Sequence, residues 1–244
     1  MDRLIYTAAS AARALMQRQD GLTNNLANAN TPGFRADQVA FRAVPVRGEG
    51  VPTRVVSIEA TAGFDDRSGP IETTGRNLDV AVLGKGYLAV QTPEGTEAYT
   101  RSGSLQVSAE GVLVSAGGLP VSGEGGTLNI PAGSVVSIAR DGTVSAQPAK
   151  GSAQTVGRIK LVNPAPGELR KGDDGLLRMA SGEDAAPDAE VRIASSALEG
   201  SNVNIVEAMV GMIAASRQFE TQMKLLQTAE QNDQRAAQLL APAR

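Results

Sequence analysis

The two ends of the chain constrain it most. Ile5, Ala8, Ala12, Leu15, Gln19, Leu22 and Leu26 step alternately by three and four residues. That 3.5-residue repeat is a heptad seam, and it buries itself best against other long helices. Leu4, Ala9 and Met16 widen the stripe. A second seam runs through Met209, Met212, Ser216, Phe219, Met223, Leu226, Glu230, Asp233, Ala237 and Leu240, and its charged members lie in its last part. Val206, Val210 and Ile213 add a second apolar flank near its start. The spacing predicts helices of about 25 and 36 residues, roughly 37 and 54 Å long. A mean globular helix has about 11–12 residues. The two can pair as a hairpin across the chain ends, yet the stripes remain broad enough to need further partners. Ile5, Ala12, Leu15, Leu22 and Leu26 on the first helix, with Met209, Met212, Phe219, Met223 and Leu226 on the second, are the candidate assembly residues.

The first helix stops at NNLANANTPGFR, residues 24–35. Pro32 lacks an N–H and pushes Thr31 out of the helical region. Asn28 and Asn30 tolerate the left-handed conformation that closes helices. Gly33 permits a turn few other residues accept. Phe34 follows at once and is expected to plug the turn onto an apolar neighbour. The second helix opens with Asn204-Ile-Val-Glu207, the spacing of a capping box, with Ser201 as an alternative start.

Between the helices the composition changes twice. Residues 36–70 carry Pro45, Pro52, Gly48, Gly50, Gly63 and Gly69 and read as an extended linker. Residues 71–198 are rich in Gly, Val, Thr and Ser and read as short hairpins. Turns are expected at Pro93–Thr96, Ala109–Gly111, Ala139–Gly142 and Asp173–Gly175, each with a glycine for positive φ. Leu78, Val80 and Val82 alternate with Asp79 and Ala81, as in a half-buried strand. The fold class is α+β. The expected parts are 1–35 for the first helix with its turn, the linker 36–70, the β-rich domain 71–198 and the second helix 199–244.

The residues offer little chemistry. With no Cys and no His, disulfides, thiolate metal sites and Ser-His-Asp or Cys-His arrangements are impossible. No Ser precedes a Lys by three, and Gly84-Lys85-Gly86 lacks the outer glycine and the hydroxyl of a phosphate loop. Asp65/Asp66, Asp173/Asp174 and Glu183/Asp184 read as solvated turn acids, and the fragment at Asp173-Asp174-Gly175 falls short of a calcium loop. No catalytic, cofactor-binding or metal residue is assigned, and no cofactor is expected. Three Tyr, four Phe, no Trp and a net charge of −3 argue against nucleic acid. No Sec-type signal is read, since Asp2 cancels Arg3 and Thr7, Ser10 and Arg13 interrupt the apolar character. The apolar run at 208–215 is too short for membrane insertion.

Three stretches carry a resemblance. NNLANANTPGFR, preceded by its heptad helix and followed by AFRAVPV, resembles the N-terminal signature of flagellar axial proteins. LDVAVLGKGYLAVQTPEGTEAYTRSGSLQVSAEGVLVSAGGLPV resembles the β-domain of flagellar rod and hook proteins, and SNVNIVEAMVGMIAASRQFETQMKLLQTAEQ resembles their C-terminal helix. The resemblance covers nearly the whole chain in the family's order. It implies a structural subunit of the basal-body rod, the periplasmic drive shaft from motor to hook. The terminal helices would pack as a coiled-coil-like tube wall, with the β-domain outside. The implied partners are further copies, other rod proteins and the flagellar type III export apparatus, with no cleaved signal. Thr31-Pro32-Gly33-Phe34-Arg35 and Arg217-Gln218-Phe219-Glu220 resemble the proximal rod member, and the distal member is the alternative. A β-rich carbohydrate or peptidoglycan-binding module on a helical stalk is a rival of another class. It requires an aromatic groove, for which the strands offer only Tyr87 and Tyr99. A hydrolase with two acids facing across one cleft is a third.

Overall fold

The computed structural model describes residues 2–45, 55–149 and 151–240, with backbone alone at 2–5, 43, 55–62, 166, 233 and 236–240. The chain divides into two compact units. One holds Met1–Ala27, Asp37–Phe64 and Asn204–Arg244, and the other holds Asn28–Ala36 and Asp65–Val203.

In the first unit, α1 (Asp2–Ala27) and α2 (Ile205–Leu240) lie against each other. Leu22, late in α1, meets Gly211, early in α2, so the helices run antiparallel. Asn204 caps α2. Its Oδ1 accepts the Glu207 N–H at 3.2 Å, and its carbonyl accepts Ala208 N–H at 2.9 Å. The segment read as an extended linker contains a ribbon instead. Strands β1 (Asp37–Pro45) and β2 (Val55–Phe64) pair antiparallel from Asp37↔Phe64 to Pro45↔Val55, with a bulge between Ala40 and Phe41. Val39, Phe41 and Val44 are half-buried while Gln38, Ala40 and Arg42 are exposed, an alternation that sequence reading passed over because Pro and Gly dominate the stretch. The ribbon packs on α1. At Gly21 a Cβ would lie 2.9 Å from Val39 Cγ2, which explains a glycine within a helix.

The second unit is β-rich. In chain order its strands are β3 (Ile71–Thr73), β4 (Val80–Leu83), β5 (Tyr87–Gln91), β6 (Glu97–Thr100), β7 (Leu105–Val107), β8 (Leu113–Ser115), β9 (Ser122–Gly123), β10 (Gly126–Thr127) and β11 (Val135–Ile138). The series continues with β12 (Thr143–Gln147), β13 (Gln154–Arg158), β14 (Leu161–Val162), β15 (Leu169–Lys171), β16 (Leu177–Met179), β17 (Arg192–Ser195) and β18 (Ala197–Glu199). The largest sheet has the order β14-β5-β6-β16-β15, and a three-stranded sheet runs β11-β12-β13. The pairs β17-β4 and β18-β3 bring the end of the unit back beside its beginning. All four expected hairpins form, and Gly95, Gly111, Gly142 and Gly175 take φ between 77° and 89° at their turns.

Leu88, Leu105, Leu113, Val144, Ile159 and Ile193 belong to one buried cluster. Strand β4 differs from the half-buried reading, because Val80, Ala81 and Val82 are all buried. Its neighbour Asp79 is buried too, and it accepts hydrogen bonds from Arg76 and Thr74. With both faces covered, alternation in the sequence no longer reports exposure.

Candidate assembly interface

The helix pair hides a narrower seam than its apolar pattern offers. On α1, Ala8 and Ala12 are buried and Leu15, Leu22 and Leu26 are half-buried, whereas Ile5 belongs to the helix but its side chain lies outside the described residues. On α2, Met212, Phe219 and Leu226 are half-buried as expected. Met209 and Met223 are exposed, at 50% and 39%. The seam runs instead through Ala208, Met212, Ala215, Phe219, Gln222, Leu226 and Ala229, with the three alanines buried. The heptad period is as read, but the alternate positions are displaced by one residue. Alanine lets two helices approach closely; a methionine at the contact holds them apart.

That displacement leaves large side chains in solvent. Ile205, Val206, Met209, Val210 and Ile213 are all exposed, with Val206 at 69% and Val210 at 61%. Their spacing places them along one side of the first turns of α2. Tyr6 and Met16 on α1 are exposed at 68% and 54%. Single exposed apolar residues are ordinary on soluble proteins, but a strip of five on one helix marks an interaction surface.

The turn motif is built as a plug in the β-rich unit. Asn28 carbonyl accepts Thr31 N–H at 3.1 Å, and Thr31 Oγ1 lies 3.1 Å from Asn28 Oδ1. Thr31 carbonyl accepts Phe34 N–H at 3.2 Å. Asn30 and Thr31 stay exposed and Pro32 is half-buried. Gly33 takes φ +71°, and a Cβ there would fall 2.2 Å from the Ser102 nitrogen. Phe34 does not rest on an apolar neighbour as expected. Lys171 Nζ lies 3.8 Å from its ring centroid and donates to the Arg35 carbonyl at 2.7 Å, a cation–π contact completed by a hydrogen bond.

Beyond the turn lies a buried ionic knot that sequence reading missed. Glu199 has no exposed surface and receives Arg35 Nη1 on Oε1 and Arg101 Nη1 on Oε2, each at 3.0 Å. Arg101 also donates to the Val82 and Gly84 carbonyls, and lies 5.3 Å from the Tyr87 ring centroid. Burial lowers the Arg101 pKa and Glu199 opposes the shift, so the guanidinium stays charged. Asp65 was read as a solvated turn acid, yet it is buried, and Arg67 grips both its oxygens at 2.6 to 3.0 Å. Asp66 accepts a hydrogen bond from the Tyr87 hydroxyl. Asn202 joins the two ends of the unit, accepting Ala36 N–H at 2.7 Å and donating to the Asp65 and Arg67 carbonyls at 2.8 Å. A sequence signal for Glu199 did exist. It stands in step with Ala197 on β18, the inward parity, and a carboxylate there requires buried partners. In the other unit, buried Asn25 accepts Asp37 N–H at 2.7 Å and donates to its carbonyl at 3.0 Å, so it pairs with the start of β1 as a strand residue would.

Three family models match, in the order of the elements just described. They are the Flagella basal body rod protein model at residues 5–35, the Flagellar hook protein FlgE/F/G D1 domain at 81–146, and the Flagellar basal body rod FlgEFG protein C-terminal model at 194–239. The flagellar basal-body rod protein FlgF of Escherichia coli (strain K12) is 46% identical over 250 residues, spanning 99% of both chains. The FlgF of Salmonella typhimurium is likewise 46% identical over 99% of each. The chain belongs to the FlgF family of flagellar basal-body rod proteins. A FlgG of Bacillus subtilis is 31% identical over 95% of this chain and 96% of its own, at a greater distance than those two FlgF proteins. The first family model ends on Arg35, and the third contains Glu199 with α2. The two halves of the knot thus fall in the two terminal signatures of the family, and the hairpins between them in the third.

Proposed function

We propose that this chain is a structural subunit of the flagellar basal-body rod, in its proximal segment, polymerising through α1 and α2 into the shaft that carries torque from motor to hook. Membership of the FlgF family supports the rod and the proximal position. The exposed strip at Ile205, Val206, Met209, Val210 and Ile213 carries the assembly step, because a helix pair that has already buried its own seam has no internal use for it. Its occupants are further copies of this chain and other rod proteins. Ile5, Ala12, Leu15, Leu22, Leu26, Met212, Phe219 and Leu226 hold the pair together, and Met209 and Met223 face the neighbours. Under this reading the chain reaches the periplasm through the flagellar export apparatus without a cleaved signal. Among the described residues no helix is long and apolar enough to cross a membrane.

The carbohydrate-binding reading loses its support. Tyr87 and Tyr99 are 2% and 1% exposed, and the cavity of about 520 Å³ beside Asn163, Glu168, Met179 and Asp188 has no aromatic in its lining. The test of the proposed function is a double substitution, Val206→Asp with Val210→Asp. The isolated chain should keep its circular dichroism and solubility, while cells carrying it assemble no rod and do not swim. Normal swimming would overturn the role given to this face. Copy number per basal body separates the proximal position from the distal one.

A further inference from the structure

The knot around Glu199 uses every acceptor that one residue can offer. Oε1 takes Arg35 at 3.0 Å and the Gly69 N–H at 2.9 Å. Oε2 takes Arg101 at 3.0 Å, and the Glu199 carbonyl takes Gly33 N–H at 2.7 Å. Three separate stretches, 33–35, 69 and 101, therefore converge on one side chain that has no contact with water. Its neighbour Asn202 adds Ala36 from 166 residues away in sequence. Arg35 Nε and Nη2 and Arg101 Nε are buried without hydrogen-bond partners among the described residues. The charge of Glu199 is thus shared by two guanidinium groups that already lack acceptors.

We infer that Glu199 is the positioning residue that seats the turn motif 33–36 in the β-rich unit, and that this seating is conditional on the outgoing segment 199–202. Without the carboxylate, two buried cations face each other, and the cheapest relief is for the incoming segment to leave. Arg101 cannot leave as easily, because the Val82 and Gly84 carbonyls hold it to β4 and the turn that follows. Arg35 is held by Glu199 and the Arg67 carbonyl alone, on a segment that arrives from outside the sheets. Residues 28–36 therefore dock last, after the chain has been completed as far as residue 202. The stretch between them, 37–64, is left free to form its own unit meanwhile. This ordering concerns the folding of one chain and does not rest on the rod reading.

Amide exchange on the full-length Glu199→Gln chain tests it. Gln keeps the shape but loses the charge and turns an N–H₂ toward one of the arginines. The N–H groups of Gly33, Ala36 and Gly69 should exchange at least ten-fold faster than in the unaltered chain. Those of Leu113 and Ile193, which donate to Leu128 and Arg140 in the core, should keep their rates. Unchanged rates at the first three would overturn the inference, and so would an equal acceleration at all five. If Glu199→Gln does not fold, Arg35→Lys serves in its place, since it keeps the charge and loses the planar fork. That variant should accelerate Gly33 and Ala36 and spare Leu113. Equal effects at all three amides would defeat the claim.

Discussion

Gly33 shows how one residue decides whether the terminal signature can dock. Its positive φ would strain any other side chain, and a Cβ would overlap the Arg101–Ser102 backbone, which has nowhere to move. Gly33→Ala should destabilise the β-rich unit by about 3 kcal/mol, read as a lower urea midpoint at unchanged slope. A loss under about 1 kcal/mol would show that the turn sits loosely. Acid sensitivity belongs to the same scale. Burial pushes the Asp79 carboxyl up, but hydrogen bonds from Arg76 and Thr74 outweigh it and leave the pKa below its ordinary 3.8. Asp65 is held low by its hydrogen bonds to Arg67, against the opposing effect of burial. A carboxylate whose folded pKa is depressed stabilises fully above its unfolded pKa and loses that contribution as pH falls through the folded value. The urea midpoint should therefore drop on acidification from about pH 5 to about pH 3. Asp79→Asn should flatten that drop, and an unchanged slope would remove Asp79 from the account.

Helix α2 carries two apolar surfaces with different duties. Ala208, Ala215 and Ala229 set how closely α1 can approach, so size matters there more than hydrophobicity. Ala215, only 2% exposed, has no room for a larger side chain. Ala215→Leu should cost about 1–3 kcal/mol of helix-pair stability through overpacking. Met209→Ala, on the exposed side, should leave the isolated chain within about 0.5 kcal/mol of its parent. Thermal melts followed at the helical band would compare the two, and equal effects would mean the seam is misplaced. The heptad period was legible in the sequence because 3.5-residue spacing survives whichever neighbour covers it. The phase was not. Both Met209 and Ala208 fit a seam, and hydrophobicity favoured the larger residue where geometry required the smaller. The hairpin turns were legible because a local loop needs its glycine whatever surrounds it. The knot was not, since Arg101 and Glu199 stand 98 residues apart and nothing local couples them. The ribbon at 37–64 was hidden for a third reason, because its Pro- and Gly-rich surroundings read as a breaker.

The two units also differ in how firmly they can hold themselves together. The β-rich unit buries Leu88, Leu105, Leu113, Ile159, Leu161 and Ile193 almost completely, each contributing about 1.5–3 kcal/mol relative to exposure. In the helix pair the fully covered apolar side chains among the described residues are alanines, which contribute far less each. Long helices with so little buried surface gain most of their stability from tertiary contacts, and here much of their apolar face is left for other molecules. The isolated subunit should therefore show a steep contrast in amide exchange. Core amides such as Leu113 should exchange only by global unfolding, while α1 and α2 open by local fraying with protection at least a hundred-fold lower. Assembly into a rod should raise helical protection to the level of the core, because neighbouring subunits supply the missing burial. That gain would restrain polymerisation away from a growing tip, since a lone helix pair presents a poorly ordered surface. Strong protection of both helices in the free chain would sink this view. It would mean that the alanine seam suffices, and that neighbours add contacts without adding order.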